Sequence, residues 1–192
     1  MPPAIAAPQD IPFPGRIGVR VDATDIDRRI FSVHETIPGR GGTRLVLLYP
    51  QWLPGNHSPS GRADKLAGLT IRTLGNRVDW VRDPVDVFAF HIDVPATATV
   101  LEIDFQFTSP LENNEGRVVM TPDMLNVQWT AVTLYPAGYF ARQITVEPSV
   151  HLPDGWQFAT ALETVSTTGG VTTFKPSIAE STESAGVISA SP

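Results

Sequence analysis

His34 and Glu35 are the one point where this chain begins to spell a hydrolytic metal site. A zinc hydrolase of the HExxH type needs a second histidine four positions after the first, so that both imidazoles share a helix face. Position 38 is Pro38, and RIFSVHETI from Arg29 to Ile37 alternates like a strand, so the motif is absent. The other histidines, His57, His91 and His151, stand far apart in the chain. His91 lies in the apolar run FAFHIDV and reads as a half-buried, hydrogen-bonded imidazole, while His151 sits beside the turn at Leu152-Pro153. Cysteine is missing, which removes disulfides, thiolate metal sites and cysteine nucleophiles. There is no G-x-S-x-G elbow and no glycine-rich phosphate loop. The neighbouring carboxylates Asp22 and Asp25, and Asp83 and Asp86, fit turn formation better than acid–base work. On this reading no residue of the chain is catalytic and none is a metal ligand.

His57 stands apart because of its surroundings. It lies in LYPQWLPGNHSPSG, Leu48 to Gly61, which follows the apolar strand pattern LVLLY. Pro50, Pro54 and Pro59 each fix their own φ and push the preceding residue towards extended geometry, while Gly55 and Gly61 allow turns. The segment is therefore a shaped loop that carries an indole and an imidazole at the end of a strand. Binding residues concentrate on such loops. Trp52, Pro54, Gly55, Asn56, His57 and Ser58 are the candidate site.

The rest of the chain is built to hold such a loop. With 192 residues and 42% hydrophobic content it can bury one sizeable core. A net charge of −6, with the arginines scattered singly, argues against nucleic acid. No apolar stretch is long enough to span a membrane as a helix. LEIDFQF, Leu101 to Phe107, alternates apolar and polar without a break, and the same period marks segments from Ile17, Arg29, Thr43, Gly68, Val85, Arg142, Gly155 and Gly170. Turn signals such as PGRGG, GN, DP, PDG and GG separate them. These features predict an all-β chain, an antiparallel β-sandwich of many short strands. Helical turns are expected only at ADKLAGL and at TPDMLN, with Thr121 as N-cap. Residues 1–16 read as an extended or disordered arm, 17–176 as one β-sandwich domain, and 177–192 as a linker or disordered tail that could end in a short strand near Gly186 to Ser189. The aromatics Trp129, Tyr135, Tyr139 and Trp156 are expected in the core or at an interface.

Several segments together carry a family likeness. VDATDIDRRIF, LYPQWLPGNHSPSG followed by DKLAGL, RDPVDVFAFHIDVP, and GRVVMTPDMLNVQW running into LYPAGYFARQITVE resemble the N-terminal β domain of bacterial glycyl aminopeptidases, family sixty-one of the metallopeptidases. The likeness covers Ile17 to Pro176 and is weakest in the tail from Ser177. In that family a separate helical domain holds zinc through HExxH and a downstream glutamate, and none of those residues has a counterpart here. The resemblance thus implies a non-catalytic domain, inactive alone. Its partner would be a zinc-bearing catalytic domain of the same polypeptide, and it would meet peptide substrates only indirectly. It also implies the periplasm or the outside of the cell, and Ala4-Ile5-Ala6 reads equally as the end of a cleaved export signal or as an ordinary chain terminus, while the lack of cysteine fits cytoplasm and periplasm alike. The residues by themselves leave a second class open, a free-standing β-sandwich module that binds peptide or carbohydrate.

Overall fold

Leu101, Ile103, Phe105 and Phe107 all point inward from one strand, as their alternation requires, and each is almost wholly buried. The computed structural model describes residues 4–52, 57–112, 117–180 and 186–190, and strands dominate it. In chain order they are β1 Arg16–Asp25, β2 Ile30–Pro38, β3 Arg44–Leu48, β4 Leu66–Thr73, β5 Asn76–Val78, β6 Trp80–Arg82, β7 Ala89–Asp93 and β8 Val100–Thr108. They continue as β9 Val119–Met120, β10 Met124–Val127, β11 Tyr135–Pro136, β12 Thr145–His151, β13 Gln157–Thr160, β14 Thr164–Thr168, β15 Val171–Phe174, β16 Ser177–Ile178 and β17 Val187–Ala190. The all-β expectation holds.

Three sheets result. The largest has nine strands in the order β14-β15-β12-β1-β2-β8-β4-β5, with β16 also paired to β12. Its β1–β12 pair is parallel, while β1–β2, β2–β8 and β8–β4 are antiparallel. Two four-stranded sheets, β13-β17-β10-β9 and β11-β3-β7-β6, complete the set. Residues from all three meet in one apolar cluster that includes Phe31, Phe107, Phe90, Trp129 and Phe174. Burying each large apolar side chain contributes about 1.5–3 kcal/mol, so this shared core fixes the sheets against one another. Trp129 and Trp80 each meet a phenylalanine edge-on, at 6.2 Å from Phe174 and 5.5 Å from Phe90.

Two sequence expectations need adjustment. The strand expected from Val85 starts only at Ala89, because the Asp83 and Asp86 side chains turn the chain first: Asp83 accepts from the Val85 and Asp86 N–H groups, and Asp86 from Phe88 N–H. At TPDMLN the Thr121 hydroxyl does accept from Met124 N–H at 3.0 Å, yet strand β10 follows, since Leu125 and Val127 must both point into the core. ADKLAGL does give a short helical turn, a single 3₁₀ turn over Ala63–Lys65, before β4. The short final strand read near Gly186 to Ser189 is present: β17 lies between β13 and β10 with Val187 and Ser189 facing inward. In the N-terminal arm, Gln9 N–H donates to Gly138 O and Phe13 N–H to Gln143 O, which ties that segment to the domain.

Candidate functional site

The candidate loop leaves β3 at a rigid base. Tyr49 follows the strand directly and is 2% exposed. Its N–H donates to Phe88 O at 2.8 Å and its hydroxyl to Ala131 O at 3.1 Å. Burial, with a smaller push from the nearby Asp64, raises its phenol above the ordinary value, so it stays a neutral donor. At the far end, the N–H groups of Ser60 and Gly61 both donate to Gln51 O, at 2.9 and 3.0 Å. This pinches the loop shut at its neck. Gly61 is required there, because a Cβ would run into the carbonyl oxygen of Pro50. The chain then passes through the Ala63–Lys65 turn, where Arg62 grips Asp64 with two parallel bonds of 3.0 and 2.9 Å and holds that carboxyl below the usual range.

Trp52 stands out from this neck with 60% of its surface exposed, and His57 and Ser58 are exposed as well. Pro54, Gly55 and Asn56 lie outside the described residues. The second motif of the sequence comes to the same place. In β11 Tyr135 pairs with Leu48 and Pro136 with Leu47, and Ala137 N–H donates to Val46 O at 2.8 Å. LYPQW and TLYPAG are therefore neighbouring strands, with Trp129–Ala131 bridged to Tyr49 behind them. A third segment closes the group: the turn from Asp83 to Phe88 shows the solvent Val85 (91% exposed) and Val87 beside the Tyr49 contact.

Two titratable groups at these segments do more than the sequence reading gave them, which took Glu35 only as part of an absent HExxH motif and Asp83 as a turn former. Glu35 points inward from β2 and is fully buried. One carboxyl oxygen accepts from Leu134 N–H at 2.9 Å and the other has no partner among the described residues. Burial pushes the group well above the usual carboxylate range, and the one N–H offsets this only in part. Asp83 is the opposite case. The Asp86 and Val85 N–H groups, and then His91 Nε2 at 2.8 Å, hold it down to about 2. The His91 side chain is largely buried and hydrogen-bonded, and its Nδ1 has no partner among the described residues. Glu35 carried a readable signal, since Phe31, Val33, Glu35 and Ile37 share one face of the strand and three of them are apolar.

Zinc does not fit what the described residues offer. Histidine meets carboxylate only in pairs, His34 with Asp104, His91 with Asp83 and His151 with Asp22, and no group of three potential ligands converges among the described residues.

A loop presented by two paired LYP segments over a three-sheet core is the arrangement to compare with known proteins. The family model described as the Peptidase M61 N-terminal domain matches residues 18–181. The chain belongs to this family. An aminopeptidase N family protein from Idiomarina loihiensis shares its fold with a TM-score of 0.75 at 14% identity, covering 91% of this chain and 29% of that one. A mutant M1 zinc metallopeptidase from Deinococcus radiodurans, bound to a Tyr-Ser-Ala substrate, gives 0.54 at 13% identity, covering 94% of this chain and 42% of its own. Yeast LTA4 hydrolase gives 0.52 at 11% identity, covering 95% and 29%. No curated protein matches the sequence. This M61 N-terminal domain thus spans well under half the length of the solved structures it resembles.

Proposed function

We propose that this chain is the non-catalytic N-terminal domain of a zinc-dependent aminopeptidase that releases N-terminal glycine or alanine from peptides. Its catalytic domain would belong to the same polypeptide and supply the zinc, and the enzyme would work in the periplasm or outside the cell. The observation that carries this reading is the pinched loop in a domain of this family: Trp52 stands exposed on a neck closed by two hydrogen bonds to Gln51 O. A rigid neck favours one role, to form part of the wall of a cleft completed by the packed partner. Selection for a small first residue works by excluding larger ones, and a stiff, proline-rich loop excludes better than a mobile one. The exposed Val85 and Val87 next to it supply apolar surface for the catalytic domain to cover.

The test is peptidase activity of the polypeptide that carries this domain. It should cleave glycyl and alanyl p-nitroanilides in preference to leucyl p-nitroanilide and lose activity to a zinc chelator, while the 192-residue chain alone cleaves none of them. A preference for leucine, or full activity after chelation, would contradict the reading.

A further inference from the structure

The outward face of the nine-stranded sheet plays no part in the reading above. One row crosses it in register: Ser149 of β12, Arg20 of β1, His34 of β2, Asp104 of β8 and Thr70 of β4. In the next row His151, Asp22, Ser32 and Gln106 stand side by side. A flat sheet would leave these side chains in open water. Here the register slips in β4 between Ala67 and Thr70, around Gly68 at φ 65°, and in β1 between Asp22 and Asp25. Such irregularities bend and twist the strands that contain them. A trough of about 710 Å³ lies along this face, lined by Arg20, Asp22, Ser32, His34, Asp104 and Gln106.

The carboxylates of the trough already have partners, and one cation beside them has none among the described residues. Asp104 gives one oxygen to His34 Nδ1 at 2.8 Å and the other to Arg72 Nη1 at 2.7 Å. Asp22 accepts from Thr24 N–H at 2.9 Å, from the Thr24 hydroxyl at 2.6 Å and from His151 Nδ1 at 3.2 Å. Burial would raise the Asp22 carboxyl, but the Thr24 and His151 bonds outweigh it and hold the group below its ordinary value. Both carboxylates are thus already engaged. Arg20, between them, makes no side-chain hydrogen bond or ion pair with any described residue, and it is exposed at the trough wall.

We propose that this trough is a recognition site for a small monocarboxylate of the amino-acid or peptide type, with the Arg20 guanidinium as its anchor. The planar guanidinium fork matches a carboxylate with two parallel bonds. Ser32 and Gln106, paired across β2 and β8, place neutral hydrogen-bonding groups beside it. The flanking Asp22 and Asp104 repel multiply charged anions and offer acceptor oxygens to a ligand N–H. That combination selects one negative charge next to an amide or amine.

The test is a titration of the 192-residue chain, followed by the backbone amide signals of β1, β2 and β8 in NMR spectra. The probe is N-acetylalanine, which has the carboxylate and an amide but no free amine for an aminopeptidase to act on. N-acetylalaninamide is the neutral control. Saturable shifts at Arg20, Ser32 and Gln106 with millimolar affinity are expected for N-acetylalanine and not for the amide. R20Q should weaken the affinity by about tenfold or more with an unchanged melting temperature. R20K, which keeps the charge and loses the fork, should fall between them, and it decides the matter if R20Q folds poorly. Absence of saturable shifts, equal binding of the neutral amide, equal or tighter binding of inorganic phosphate, or wild-type affinity in R20K would each overturn the proposal. None of these outcomes bears on the peptidase reading, because the probe is not a substrate.

Discussion

Tyr49 donates its hydroxyl hydrogen bond to Ala131 O at 3.1 Å, across 82 positions of sequence. The bond links the neck of the Trp52 loop to the segment that runs into β11. Two of the segments that carry the family likeness are therefore held as one unit by a buried contact as well as by strand pairing.

Tyr49→Phe isolates that contact. It keeps the ring and leaves a buried carbonyl without its donor, which costs about 1–3 kcal/mol. Urea denaturation should register the loss, and Trp52 fluorescence should change with it. Wild-type stability would mean that the bond does not couple the segments.

Glu35 gives a pH signature. Its folded-state pKa is raised above the ordinary 4.5, so the native chain keeps a proton that the unfolded chain releases. The stability it contributes is complete below 4.5 and declines as pH rises from there towards the folded value. Glu35→Gln keeps an oxygen for Leu134 N–H and removes the titration. The stability of wild type relative to E35Q should fall with pH above 4.5, by up to about 1.4 kcal/mol per pH unit. Parallel pH profiles for the two proteins would refute this account of the buried carboxyl.

Asp83 should behave in the reverse sense. Its pKa is lowered from 3.8 to about 2, so its contribution is present above 3.8 and is lost as pH falls through about 2. Asp83→Asn should flatten acid unfolding in that window while leaving the slope at neutral pH alone. An unchanged acid limb would show that other carboxylates govern it.

Gly61→Ala tests the neck. The added methyl meets the Pro50 carbonyl, a backbone atom that cannot swing aside, so a loss of about 1–3 kcal/mol is expected in thermal melts. A melt identical to wild type would mean that the neck opens freely.

How much of this was legible in sequence follows from where apolar residues face. β1, β2, β4 and β8 announced themselves because one face of each meets the core and the other meets water, which writes period two into the chain. β9, β11 and β16 are two residues each, too short to carry a period, and exist because a neighbour offers them hydrogen bonds. β14 was invisible for another reason: every residue of TVSTT is exposed, so nothing alternates. The Asp83 and Asp86 turn was readable from residue type, whereas the Asp83–His91 pair needed the strand geometry that brings positions eight apart within 2.8 Å. The prolines of the Trp52 loop predict a shaped segment. The loop's closeness to Tyr135 and Pro136 was not legible, since that depends on a pairing across most of the chain.

The most direct measurement is side-chain preference in the polypeptide carrying this domain, with Trp52→Ala against wild type. Trp52 is exposed, so the substitution should shift stability by no more than about 0.5 kcal/mol. If the loop walls the substrate cleft, kcat/KM for glycyl p-nitroanilide should drop about tenfold, or its ratio to leucyl p-nitroanilide should narrow by that factor. Unchanged kinetics for both substrates in a stably folded W52A would contradict the cleft role and leave the loop a purely structural element of the domain.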